Sequence, residues 1–125
     1  MKSKNILVVD DEKAICNLVE YRLKLDEFNV TKAFSGEEGL RLLEEGLRPD
    51  VILLDLAMPG MSGLEFCKRV KSNGDHKETK IIVVTALSDE NHRKKSEEAG
   101  ADRIVFKPFR GSDLIKVIEE VAVPR

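Results

Sequence analysis

The sequence predicts an α/β protein built on a doubly wound, five-stranded parallel sheet, and three observations carry that reading. Five short runs rich in Val, Ile and Leu alternate with five longer stretches of helical periodicity. Three of the runs are apolar almost without a break, the pattern of strands covered on both faces. At 125 residues the chain is expected to be one domain, 1–125, long enough for a real core. Right-handed crossovers leave few topologies for such a repeat, and the order 2-1-3-4-5 is the common one at this size.

The elements follow in turn. "NILVVD" (5–10) is the first strand and runs into three adjacent acids, Asp10, Asp11 and Glu12. A helix is expected over about 12–25, with Glu12 in its first turn, where a carboxylate is favoured. "FNVTKA" (28–33) is the second strand, and Ser35-Gly36-Glu37-Glu38 has the spacing of a capping box opening a helix over 36–46. "DVILLD" (50–55) precedes a helix over 63–74, "KIIVVT" (80–85) one over 88–99, and "RIVF" (103–106) one over 111–122. Ser62, Ser88 and Ser112 are the expected N-caps. Gly46, Gly74 and Gly100 stand where left-handed C-terminal caps are wanted.

Composition narrows the function. With 21 basic and 23 acidic side chains the net charge is −2, which gives no electrostatic reason for the domain to bind nucleic acid directly. No apolar stretch approaches the roughly 20 residues that cross a bilayer. The start meets acid too soon for a signal peptide, so a cytoplasmic protein without membrane contact is expected. Cys16 and Cys67 lie in apolar helical patterns and read as reduced core thiols. His76 and His92 lie among polar residues and are expected at the surface; "HRKKSEE" reads as a solvated helix face. After the fifth helix comes "VAVPR": the chain either stops there and acts by docking, or Pro124-Arg125 begins a linker.

In open α/β sheets the working site lies beyond the C-terminal strand ends, at the point where strand order reverses. Here strand 1 ends in Asp10 and Asp11, strand 3 in Asp55, strand 4 in Thr85 and strand 5 in Lys107. Strands 1 and 3 are neighbours in the expected order, so three carboxylates converge and call for a bound cation, with Lys107 close by. Hard oxygen donors suit Mg²⁺. A carboxylate such as Asp55 can attack phosphorus, while Lys107 and Thr85 meet the phosphoryl oxygens. Pro59-Gly60 supplies a tight turn beside the site.

"VVDDE", "DVILLDLAMPGMSGLE", "VVTA" and "GADRIVFKPF", in this order and spacing, resemble the receiver domain of two-component response regulators over the whole chain. The resemblance implies a flavodoxin-like fold whose strand order is also the family's own, so topology and resemblance are not independent inferences. It implies a phosphorelay protein that takes a phosphoryl group from a sensor histidine kinase or phosphotransfer protein, and that assists its own phosphorylation and dephosphorylation without being an enzyme. Asp55 would be the phosphoacceptor. Asp11, Asp55 and the backbone carbonyl of Ala57 would hold Mg²⁺, with Asp10 acting through water. Thr85 would be the switch hydroxyl and Lys107 the phosphoryl contact, with a cis peptide between Lys107 and Pro108. Phosphorylation would switch the loop after strand 4 and the face formed by helix 4, strand 5 and helix 5.

One position departs from the family pattern: Ile104 stands where receivers usually carry a mobile aromatic, and Phe106, next to Lys107, does not match that spacing. A switch without a rotating ring is therefore expected. Rival readings fit less well. A phosphatase of the haloacid dehalogenase type usually needs a second acid two residues after its nucleophile, where this chain has Ala57. A flavodoxin-like cofactor binder would cradle phosphate with Gly, Ser or Thr, and "DDEKA" would repel it. A structural adaptor would not need polar residues at four strand ends.

Overall fold

The computed structural model describes residues 4–122; Pro124-Arg125 lies outside the described residues. In chain order the elements are β1 (Asn5–Val9), α1 (Lys13–Leu25), β2 (Asn29–Ala33), α2 (Gly36–Glu44), β3 (Val51–Leu54), α3 (Gly63–Ser72), a single 3₁₀ turn (Gly74–His76), β4 (Lys80–Thr85), α4 (Glu90–Glu98), β5 (Arg103–Phe106) and α5 (Gly111–Val121). The strands form one sheet in the order β2-β1-β3-β4-β5, and every pairing is parallel.

Alternation along each strand divides the core. Leu7 and Val9 of β1 join Ile52, Leu54, Ile81 and Val83 on one face, beneath Leu43 of α2 and Phe66, Cys67 and Val70 of α3. Ile6 and Val8 turn to the other face and pack with Val51, Leu53, Ile82 and Val84 against Cys16, Val19 and Leu23 of α1 and Leu114, Ile115 and Ile118 of α5. Both faces of the central strands are thus covered, which is why β3 and β4 read as unbroken apolar runs. Both cysteines are free and buried, as expected. α4 is the exception among the helices: its one buried residue is Ser96, followed by Ala99 just past its end.

Two of the expected N-caps form. Ser35 accepts from the backbone N–H of Glu38, while the Glu38 carboxylate accepts from that of Phe34. Ser62 accepts from the backbone N–H of Glu65. Four others differ. The N-cap of α4 falls one residue later than expected: Asp89 rather than Ser88 caps the helix and accepts from His92 N at 3.0 Å. α5 begins at Gly111, which puts Ser112 inside the first turn. Gly46 and Gly100 do take the left-handed conformation, at φ 111° and 105°, but Gly74 does not. Asn73 accepts from Asp75 N (2.9 Å) and starts the 3₁₀ turn instead, so Gly74 opens that turn rather than closing α3. α1 ends without glycine: Glu27 takes φ 67°, and Phe28 N closes back onto Leu23 O at 3.1 Å.

His92 is partly exposed and paired with Asp89, in keeping with a surface position. His76 is not at the surface. The 3₁₀ turn rolls its ring inward to 3% exposure, beside a cavity of about 150 Å³ lined by Leu40, Leu43 and Val70. Its Nδ1 has no partner among the described residues. Burial, with Arg48 nearby, holds its pKa below the ordinary histidine value, and Asp75 opposes this only in part. Protonation therefore favours the unfolded chain, whose histidine titrates at about 6.5. Stability should be fully present above that pH and fall as pH drops through the lower folded value. Urea midpoints at pH 7.5 and 5.5 test this. The wild type should lose more stability between them than His76→Gln; equal losses would show that His76 does not titrate on unfolding.

Candidate functional site

The ladder does not stop at the strand ends. Asp55 N donates to Val9 O (3.0 Å), Asp10 N to Ala33 O (3.1 Å) and Lys107 N to Thr85 O (2.8 Å). Sheet pairing thus fixes the main chain at Asp10, Asp55 and Lys107, one residue past β1, β3 and β5, where side chains first escape the apolar faces.

Asp10, Asp11 and Asp55 each bring a carboxylate oxygen to within 4.8 Å of the others. Asp10 and Asp55 are nearly buried, at 4% and 5% exposure; Asp11 is more open. Asp10 is aimed by two contacts: its Oδ1 accepts from Glu12 N (2.9 Å), and its Oδ2 lies 3.3 Å from Lys107 Nζ. Lys107 Nζ also stands 4.0 Å from Asp55 Oδ1. The Lys107–Pro108 bond is cis, and the lysine amine is directed at the carboxylates. Glu12 proves to be the N-cap of α1 rather than a first-turn residue, and its side chain makes no capping bond.

Asp55 accepts a long bond from Ala57 N (3.4 Å), the residue whose carbonyl was expected to complete a cation site. Burial and then the Asp10 charge push the Asp55 carboxyl up to about 6; Lys107 and the Ala57 N–H oppose the rise, and Asp11 adds to it. One ammonium does not balance three carboxylates, and the site is short of positive charge. The donor set matches a hard cation such as Mg²⁺: three carboxylates, two nearly buried and one, Asp11, more open. The neighbouring thiol of Cys16 is no competing ligand. It donates to Asp10 O (3.2 Å), and burial and the Asp10 charge push its pKa up to about 11.

Thr85 is buried, at 1% exposure. Its hydroxyl accepts from Leu87 N (3.0 Å), and it is not bonded to any of the three carboxylates. Ile104 is half-buried and packs against the core cluster beneath α3. Chemically, the arrangement offers a confined carboxylate oxygen with an ammonium beside it and donors for a hard cation. Such a site suits attack on an electrophilic phosphorus, a reaction governed by positioning and charge neutralisation.

One positioning residue escaped the sequence reading. A Cβ on Gly63 would sit 2.5 Å from Asp55 O and 2.7 Å from Leu56 Cα. Gly63 N donates to Leu56 O (3.2 Å), which folds the 56–62 loop back so that the start of α3 presses on the Asp55 main chain. Gly60, at φ 74°, makes the turn within that loop. The signal was present in "MSGLE": a glycine directly after the Ser62 cap, where a better helix former would otherwise serve.

Among the described residues no helix is long and apolar enough to cross a membrane. A sequence profile of the response regulator receiver domain matches residues 6–119. The phosphate regulon transcriptional regulatory protein PhoB of Rhizobium meliloti is 37% identical over 110 residues, which is 88% of this chain and 48% of PhoB. The chain thus spans about half the length of that relative. Among solved structures, the chemotaxis protein CheY4 of Vibrio cholerae superposes with a TM-score of 0.91 at 31% identity, covering 96% of this chain and 99% of CheY4. A CheY-like receiver domain protein from Methanospirillum hungatei gives 0.90 at 30%, covering 97% and 94%.

The contact at Gly63 gives a direct expectation. Gly63→Ala forces main chain apart in a packed region and should cost about 1–3 kcal/mol of stability. Gly74 has open space around it and no positive φ, so Gly74→Ala should be neutral or stabilise by up to about 1 kcal/mol. Chemical denaturation of the two variants makes the comparison; equal stabilities would mean that the 56–62 loop yields freely.

Proposed function

The chain belongs to the response regulator receiver domains of two-component systems, and from that premise we propose that Asp55 is its phosphoacceptor. The observation that carries the proposal is the nearly buried Asp55 carboxylate, flanked by two further acids and with Lys107 Nζ 4.0 Å from its Oδ1. The donor is a phosphohistidine of a sensor histidine kinase or phosphotransfer protein. An Asp55 oxygen forms the new O–P bond as the donor's P–N bond breaks and its electron pair returns to the imidazole. Mg²⁺ held by Asp11, Asp55 and the Ala57 carbonyl, with Asp10 acting through water, would supply charge neutralisation for the phosphoryl oxygens. Lys107 pairs with one of those oxygens. The Thr85 hydroxyl donates to another and gives up its bond to Leu87 N, which releases the loop after β4 and shifts the α4–β5–α5 face.

On this reading the protein is a cytoplasmic signalling receiver, a single domain over 1–125, that assists its own phosphorylation and dephosphorylation rather than an enzyme with a turnover of its own. An apolar stripe on the helix that follows the acids supports docking of a protein phosphodonor. Leu18, Tyr21 and Leu25 are 66%, 66% and 60% exposed and are spaced three and four residues apart. They form one apolar stripe along α1, which starts two residues after Asp11.

Two outcomes test the proposal. Incubation with acetyl phosphate and Mg²⁺ should add one labile phosphoryl group by intact-mass measurement, and Asp55→Asn should abolish it with the circular dichroism spectrum unchanged. An acid-stable label of undiminished size in that variant would place the chemistry elsewhere. Chelation with EDTA should stop labelling of the wild type, because the acid cluster then faces an anionic donor uncompensated; labelling at the full rate without metal would contradict the cation's part.

A further inference from the structure

Phe106 is the one large apolar side chain outside α1 left exposed among the described residues, at 38%. Its partner across the ladder is Thr85. Residues in register on adjacent strands direct their side chains to the same face. Val83 and Ile104, two residues before Thr85 and Phe106, both belong to the core cluster beneath α3. Alternation therefore turns Thr85 and Phe106 toward that same side. Thr85 is sealed from solvent there, and Phe106 is not.

The space beside the ring is open. A cleft of about 470 Å³ lies between α4 and β5, lined by Arg93 and Glu97 of the helix and by Ile104 and Phe106 of the strand. α4 does little to close it, since inward it presents only Ser96 and Ala99. A helix anchored by two small residues can adjust its position at little cost in packing. The Thr85 hydroxyl, meanwhile, holds the start of the β4–α4 loop through Leu87 N.

We propose that Phe106 is the moving aromatic of this chain's switch: when the Thr85 hydroxyl turns from Leu87 N to a phosphoryl oxygen on Asp55, the Phe106 ring leaves solvent and closes into the α4–β5 cleft. The proposal rests on phosphorylation of Asp55 for its trigger alone. Ile104 does not fill this part, being β-branched, stiff and already packed against the core. Burial of an aromatic ring is favourable in proportion to the apolar area it removes from water, and the released loop lets α4 follow the ring. A protein that reads this surface meets an exposed phenyl ring in one state and a filled cleft in the other.

The chain contains no tryptophan, so Phe106→Trp provides a single reporter at a position with room for a larger ring. Its emission is compared in the free protein and in protein loaded with Mg²⁺ and beryllofluoride, with loading measured independently by ¹⁹F NMR. Loading should shift emission to the blue and reduce acrylamide quenching severalfold. In the wild type, nuclear Overhauser contacts from the Phe106 ring to the Ile104 and Ala101 methyl groups should strengthen. A reporter quenched equally in both states, or unchanged contacts in the wild type, with the fluoride signal showing full loading, overturns the inference. Failure of the wild type to load at all overturns the Asp55 reading and removes the trigger with it.

Discussion

The crowding of Asp10, Asp11 and Asp55 at the ends of two adjacent strands is the constraint on which the rest of this structure depends. Two like charges at about 4–5 Å repel by roughly 3–4 kcal/mol at an effective dielectric constant near 20, and the site contains three such pairings. The chain tolerates this because the β1–β3 ladder continues through Asp55 N to Val9 O and leaves the main chain no freedom to spread the acids apart. Lys107 supplies one positive charge, delivered from β5 at the far edge of the sheet. Burial first, and then the Asp10 charge that Lys107 only partly offsets, keep the Asp55 carboxyl above the ordinary carboxylate range. A site built this way responds strongly to whatever brings positive charge to it, and it excludes anions that come without a cation.

The same constraint explains what was legible in the sequence. Central parallel strands must be apolar on both faces, so β1, β3 and β4 stood out as Val- and Ile-rich runs, and the residue closing each run was a candidate site residue. Lys107 was legible for the same reason, one place past a fifth run. Features set by local backbone competition were less visible. Ser88 and Asp89 are both good caps, and only the start of α4 at Glu90 decides between them. Gly74 looked like a helix stop until Asn73 captured Asp75 N. Glu27 carries no hint that it would take a left-handed conformation. His76 sits in a polar stretch, and its burial follows from a 3₁₀ turn that hydrophobic periodicity does not encode. Gly63 was missed because its importance is steric, and a sequence shows what a residue has rather than what it must lack.

Packing strength is distributed unevenly around this sheet, and the unevenness matches the division of labour. α1 and α5 bury Cys16, Val19, Leu23, Leu114, Ile115 and Ile118 against one face, and α3 buries Phe66, Cys67 and Val70 against the other. The acids and the loop after β3 are tied to these well-anchored elements, with Gly63 clamping the start of α3 onto Asp55 itself. α4 buries only Ser96 along its length. Local stability follows buried apolar contact, so the elements that hold the acids are well anchored, while α4, which follows Thr85 in the chain, is the helix best able to move.

Thr85 sits at the junction of these two regimes. Its main chain belongs to the stiff part, since Thr85 O accepts from Lys107 N and so joins it to the residue whose amine reaches the acids. Its hydroxyl belongs to the loose part, through Leu87 N. A hydroxyl has one proton and can rotate, so it can exchange partners without any movement of the strand. A change of charge at Asp55 can therefore reach α4 without deforming the sheet. Ile104 and Phe106 divide the next step along β5 in the same way: the first is locked into the core, the second left free in register with the hydroxyl. The departure from the family pattern at Ile104 thus removes an aromatic from a position two residues further from the acids, while an aromatic remains at the nearer one, directly across the ladder from Thr85.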